Sequence, residues 1–331
     1  MPRYLDDAQF RDIQRRRASW CWRSERPTWL VIVAIYGGWF GIAINARAIG
    51  LPMALGLLAL LSCWYMSLQH ELLHGHPTRF PLLNMLFGLA PLAVWFPYAV
   101  YRESHLRHHD DAHLTEPGRD PESYFVTAEQ WANAGVVLRA ALAARNSFVG
   151  RLLIGPWFSI AASWREAVQA VANRDWQIVL SWIVHVAMLV ALVLWLDARC
   201  GISWRAFLFG VGYPALALAS VRSFQEHRVA DDARERTVIN EAGWLWRVLF
   251  LNNNYHAVHH DLPGVPWFAL GEVYAARRAA YRVSNGGFIV DGYGEWMRRH
   301  AFARAVSPVH SAEREIDVAP VGTQYAPIRR T

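Results

Sequence analysis

Leu51–His74 reads LPMALGLLALLSCWYMSLQHELLH. From Leu51 to about Gln69 it carries no charge and is long enough to cross the hydrocarbon core of a bilayer. It then delivers His70 and His74, spaced i, i+4 and therefore on one face of a helix. Imidazole is the commonest protein metal ligand. The stretch therefore predicts a membrane helix with paired ligands at its end.

Working outward, Trp29 to about Ala46 is a second apolar run, separated from the first only by Arg47-Ala48-Ile49-Gly50, so the two form a helical hairpin. Gln177–Leu196 and Ile202–Val221 repeat the pattern around Asp197-Ala198-Arg199-Cys200-Gly201. The expected fold is an all-α integral membrane protein. Four transmembrane helices in two hairpins are joined by interfacial helices and a cytoplasmic cap that carries a histidine-rich two-metal site. Phe80–Tyr101 is apolar too, but Pro81, Gly88, Pro91 and Pro97 break it. A re-entrant or interfacial course there keeps every later histidine on the membrane side of His70. Phe148–Ala162 and Trp244–Leu251 read as interfacial segments.

Residues 1–28 form an Arg-rich arm in which Arg11, Arg15, Arg16, Arg17, Arg23 and Arg26 precede the first span. The positive-inside rule keeps that end in the cytoplasm and, with four crossings, the other end as well. No cleavable leader is expected, so the first span acts as an uncleaved anchor. Residues 29–302 make up the membrane domain, and 303–331 read as a loose polar tail.

Apolar residues make up 54% of the chain and there are 17 Trp, a composition of a membrane protein with interfacial anchors. The charge of +6 suits a cytoplasmic face, and no nucleic-acid-binding motif accompanies it. Cys21, Cys63 and Cys200 form no CxxC pair, which excludes a zinc ribbon, an iron–sulfur site and a disulfide framework. Electrons for any redox reaction must come from outside the chain.

Two further clusters join His70 and His74. His105, His108 and His109 are spaced i, i+3, i+4, and His256, His259 and His260 repeat that spacing; His227 stands between them at the end of the last span. Nine imidazoles exceed what one first-row ion takes, so two metals share them. The spacing leaves iron, zinc, copper and nickel open. HELLH is also an HExxH sequence, the zinc-protease pattern with Glu71 as general base, and a membrane metalloprotease is the rival reading.

HELLH, HLRHH, the isolated histidine of Glu226-His227, and HAVHH, in this order, resemble the histidine boxes of the integral-membrane fatty acid desaturase and hydroxylase superfamily. The surroundings HELLHGHPT, SHLRHHDD with LTEPGRDPES, SFQEHR and NNNYHAVHHDLP are similar to its bacterial desaturase-like branch, whose members sit in the inner membrane. The resemblance implies two iron ions (Fe2+/Fe3+) and O2 as co-substrate. It also implies a membrane lipid or acyl substrate, and an external donor, with ferredoxin expected and a cytochrome b5-like protein or rubredoxin as alternatives. It assigns His70, His74, His105, His108, His109, His227, His256, His259 and His260 as ligands. The outcome is desaturation, with hydroxylation or ketolation of a lipid, alkane or carotenoid as the alternative. In animal acyl-CoA desaturases an asparagine one turn before the lone histidine holds a water on a metal; Ser223 stands there in this chain.

Glu71, Glu103, Asp110 and Glu226 lie beside these histidines and are candidates to hold their second ring nitrogens, with Ser223 and Asn252 as further candidates. Asn252, Asn253 and Asn254 are otherwise expected to cap the helix that follows. His76 and His113 are expected beside the site or on the surface, His185 in a helix contact, and His300 and His310 as bystanders in the tail region.

Overall fold

A computed structural model describes residues 2–109 and 112–310. The protein is mostly helical, and four helices are long and apolar enough to span a membrane: Trp20–Ile44, Leu51–Leu73, Trp176–Cys200 and Trp204–Arg222. Leu51–Leu73 is the central one. The helix before it packs along its length, with Trp39 Nε1 donating to Ser62 Oγ at 3.0 Å. The last spanning helix packs on its other side around Phe207, Val211 and Leu216. Trp176–Cys200 is the least buried of the four, and its Leu180, Ile183, Val190 and Leu194 face outward, as lipid contact demands. His185 ties this outer helix to the bundle through Nε2 and the Val94 carbonyl, 3.0 Å apart.

Both hairpin turns lie at the same end. A Cβ on Gly201, whose φ is +71°, would come within 2.9 Å of Arg47 Nε. The histidines therefore emerge together at the opposite end.

The proline-broken stretch does not cross. It forms an eight-residue helix, Pro81–Gly88, then an irregular segment, then the helix Tyr98–His108. Eight residues rise only about 12 Å against a hydrocarbon core of about 30 Å. The irregular backbone is held by buried side chains: the Gly88 carbonyl accepts from Tyr65 Oη at 2.6 Å and from Gln69 Nε2 at 2.8 Å. The interfacial segments expected around 148–162 and 244–251 form helices Phe148–Leu153, Gly155–Ala172 and Trp244–Leu249.

Beyond the bundle, residues from both ends build a cap around the last histidine helix, His256–Asp261. A two-stranded parallel sheet pairs Ile239 with Ile289 and Asn240 with Val290. The N-terminal arm is docked on this cap: Ile13 is fully buried against Tyr281 and Val258, and Gln9 Nε2 donates to Tyr281 Oη at 2.9 Å. The segment expected to be loose from residue 303 is tied down as far as His310, which is 5% exposed. There its N–H donates to the Val126 carbonyl at 3.1 Å. The lack of an apolar period along 303–310 concealed this, because the attachment is made by backbone hydrogen bonds.

Candidate metal centre

Each histidine cluster is positioned by a helix end. His70 lies in the last turn of Leu51–Leu73 and His74 is its C-cap. His105 and His108 lie in the last turn of Tyr98–His108, with His109 as C-cap. His227 follows the end of Trp204–Arg222 by a short turn, and His256–Asp261 is a single buried helix.

Together they form two groups rather than one. His70, His74, His105, His109 and His259 each offer a nitrogen, and all five lie within 4.8 Å of one another; His108, His227, His256 and His260 do the same. The split runs through two of the boxes. In a helix, successive residues turn by about 100°, so an i, i+4 pair stays within about 40° while i+3 and i+4 diverge by about 100°. His105 and His109 therefore aim at one point and His108 at another; His256 and His260 pair likewise, leaving His259 to the five-histidine group.

Ring tautomers favour a cation between these nitrogens. His108 Nδ1–H donates to Asp120 Oδ1 at 2.8 Å, His105 Nδ1–H to Glu122 Oε1 at 2.9 Å and His256 Nδ1–H to Asn253 Oδ1 at 3.0 Å. In a neutral ring this leaves Nε2 with a bare lone pair. Yet His108 Nε2 and His256 Nε2 stand 3.0 and 3.2 Å from His227 Nε2, which can offer at most one proton. His105 Nε2 faces His109 Nε2 at 3.1 Å, and that nitrogen faces His259 Nε2 at 3.1 Å. At the ~2.1 Å bond length of imidazole ligation, nitrogens at right angles around one ion stand ~3.0 Å apart. The residues present fit a pair of ions.

The electrostatics agree, with His108 the exception. Burial, reinforced by neighbouring rings, holds His74, His227, His256, His259 and His260 well below the usual histidine range and lowers His109 to about 2. Neutral imidazole is the form that ligates. For His108, burial also opposes the charge, but Glu122, Asp120 and Glu226 outweigh it and raise the ring to about 9. This is the position where the carboxylates concentrate negative potential. Glu122 itself is pulled well below the carboxylate range despite burial, by His105 and His108. Its Oε2 also lies 3.9 Å from His108 Nε2, so one carboxylate touches a histidine of each group.

The expected supporting residues are only partly the ones in place. Glu226 lies 3.8 Å from His256 Nδ1 and is paired with Arg222, and Glu71 lies 3.6 Å from His70 Nδ1 while its other oxygen accepts from the Trp267 N–H at 3.0 Å. Glu103 is exposed on the outer face of its helix. Ser223 Oγ accepts from Arg151 at 3.4 Å and lies 3.4 Å from the Ser220 carbonyl. Asn252 binds Arg247 and the Trp267 carbonyl rather than a histidine, and Asp110 lies outside the described residues. None of the three asparagines caps the helix; Tyr255 occupies that position without a side-chain bond. Asn253 faces His256 instead, and Asn254 Nδ2 donates to the Asn240 carbonyl at 2.6 Å. His76 is buried against Glu25, and His113 is part-exposed beside Glu116.

The residues that sequence reasoning passed over are Asp120 and Glu122. They belong to the GRDPES turn, 12 and 17 positions after the histidines they hold. Two carboxylates in a turn-rich loop directly after a histidine box were the available signal.

Comparison with curated proteins finds no match. A family model, fatty acid desaturase, matches residues 46–290, a stretch that contains three of the four spanning helices and all nine histidines. The chain belongs to the fatty acid desaturase family of membrane-bound oxidoreductases.

Proposed function

We propose that this protein is an O2-dependent di-iron oxidoreductase that introduces a double bond into an alkyl chain, a fatty acyl lipid being the substrate. The observation that carries the reading is the pair of adjacent imidazole groups at one end of four spanning helices. Bound there, two iron ions would supply the activation of O2 for attack on an unactivated C–H bond, which redox-inert zinc does not. The balance is one alkyl chain, one O2, two electrons and two protons giving one alkene and two waters.

The chain's own residues account for the rest. All nine histidines hold metal, and Asp120, Glu122 and Asn253 fix the ring tautomers so that Nε2 lone pairs face inward. The bundle end excludes bulk water from the buried groups. No cysteine pair can relay electrons, so an external donor, ferredoxin, docks on the cytoplasmic face. There Arg107 and Arg119 are exposed near the second histidine box, in surface ion pairs with Glu166 and Glu116 that an acidic partner could exchange. Both termini and the site lie on that side. The metalloprotease reading accounts less well for the site: a catalytic zinc uses three protein ligands and an open position, whereas His70 and His74 share a five-histidine group.

Lipid extracts from a host expressing the protein with a ferredoxin system provide the test. Mass spectrometry should find acyl chains two hydrogens lighter than in the host alone. Chains that gain one oxygen instead would assign hydroxylation, and one zinc per purified chain without iron would overturn the di-iron reading.

A further inference from the structure

The last described residues close a chain of buried hydrogen bonds onto the four-histidine group. From Ala301 to His310 the chain runs back across the cap as a strap: the Ala305 N–H donates to the Asn146 carbonyl at 2.9 Å, and the Val126 N–H donates to the Pro308 carbonyl at 2.9 Å. Val126 and Val309 form a parallel bridge. This places the His310 ring edge-on to Phe125, with Nε2 3.0 Å from Thr115 Oγ1.

Thr115 is held unusually. Its φ is +74°, a left-handed conformation that a β-branched residue adopts only when its surroundings compel it. Three contacts do so: Oγ1 meets His310, the carbonyl accepts from Ser123 Oγ at 2.7 Å, and the N–H donates to Asp120 Oδ2 at 2.9 Å. The other oxygen of Asp120 accepts from His108 Nδ1 at 2.8 Å and from the Glu122 N–H at 2.9 Å. His310, Thr115, Asp120 and His108 are all buried, with none more than 6% exposed.

We propose that His310 and Thr115 are positioning residues for the four-histidine metal position. The strap fixes Thr115 in its strained conformation, Thr115 orients the Asp120 carboxylate, and Asp120 holds the His108 ring with Nε2 toward His227. Their action is selective, because Asp120 bonds the ring of His108, whose group is separate from the one containing His105, His109 and His259. Without the Thr115 hydroxyl contact one of the three restraints on that conformation is gone; as the backbone relaxes, Asp120 Oδ2 loses the Thr115 N–H, and only the Glu122 N–H still orients the carboxylate from the backbone.

The inference rests on the two groups binding metal, and the experiment separates that reading from the role of the strap. Metal-free full-length protein in detergent is titrated with cobalt(II), whose absorption reports each site, for the wild type, His310→Ala, Thr115→Val and the conservative Thr115→Ser. Losing the partner of a ligand's second nitrogen costs roughly 10–100-fold in affinity. We expect one of the two wild-type binding steps to weaken by that amount in His310→Ala and Thr115→Val, with the other unchanged, and Thr115→Ser to bind both ions as the wild type does. Wild-type binding of two ions with identical binding by the variants would overturn the strap's role alone. Equal weakening of both steps, with a lowered melting temperature of the metal-free variants, would also overturn it, since that is the signature of a general brace. Wild-type protein that binds no metal would overturn the site itself.

Discussion

At the residue scale, what separates this site from a crowd of buried histidines is where each second ring nitrogen goes. His108 and His105 donate to carboxylates and His256 to an amide oxygen, so three rings present lone pairs to a shared interior. His108→Ala removes one of four nitrogens in one group and His259→Ala one of five in the other. Each should abolish turnover and lower iron content below two per chain, measured by metal analysis of purified protein. Full activity of His259→Ala would overturn its assignment as a ligand. Asp120→Asn keeps the shape and an acceptor but loses the charge. Its expected effect is a loss of about 10–100-fold in metal affinity or turnover, and thermal melting of the metal-free protein would show whether folding is spared.

At the element scale, the broken stretch between the second spanning helix and the second histidine box sets where that box arrives. Gly88 ends the short helix where a Cβ would sit 2.6 Å from the ring of Tyr98, which is only 3% exposed. The ring cannot yield, since it lies within the core beside Leu92 and Trp95. Gly88→Ala should therefore cost about 1–3 kcal/mol through overpacking and displace the Tyr98–His108 helix, seen as a lower melting temperature and lower iron occupancy. In the cap, hydrogen bonds from Arg278 and then Tyr274 hold Glu241 below the ordinary glutamate range. A carboxylate lowered in the folded state stabilises above its unfolded pKa, and that contribution fades as pH falls through the folded value. Because the pair is partly open to solvent, through the exposed Arg278 above all, screening keeps the effect small. Glu241→Gln should lower the melting temperature slightly at pH 7, with the difference from wild type shrinking below pH ~4.

At the scale of the whole molecule, two hairpins with their turns side by side oblige all four histidine-bearing segments to meet at one membrane surface. Cys21 is exposed near that surface, beside Asp12 and Arg16, whereas Cys63 and Cys200 are buried. A membrane-impermeant maleimide should therefore label the protein once, at Cys21, in inverted vesicles and not in right-side-out ones. The reverse pattern would place the histidines outside and overturn the cytoplasmic assignment.

Much of this was readable from the chain alone because it rests on local physics. Uncharged runs such as Leu51–Gln69 must be helical in lipid, where no water satisfies the backbone. Histidines spaced i, i+3, i+4 must share a helical side. The allocation of nitrogens between the two groups follows from the same helical turn, but only once the helix axes are placed. Asp120, Glu122 and the His310 strap were not readable. Their contacts join positions 12, 17 and 195 apart, and nothing in local periodicity says which loop will close over which ring. The sequence by itself determined that this is a four-helix membrane protein bringing nine imidazoles to one end. Only the tertiary structure decided which five and which four converge, and which carboxylates hold them, because those contacts depend on packing between segments far apart in the chain.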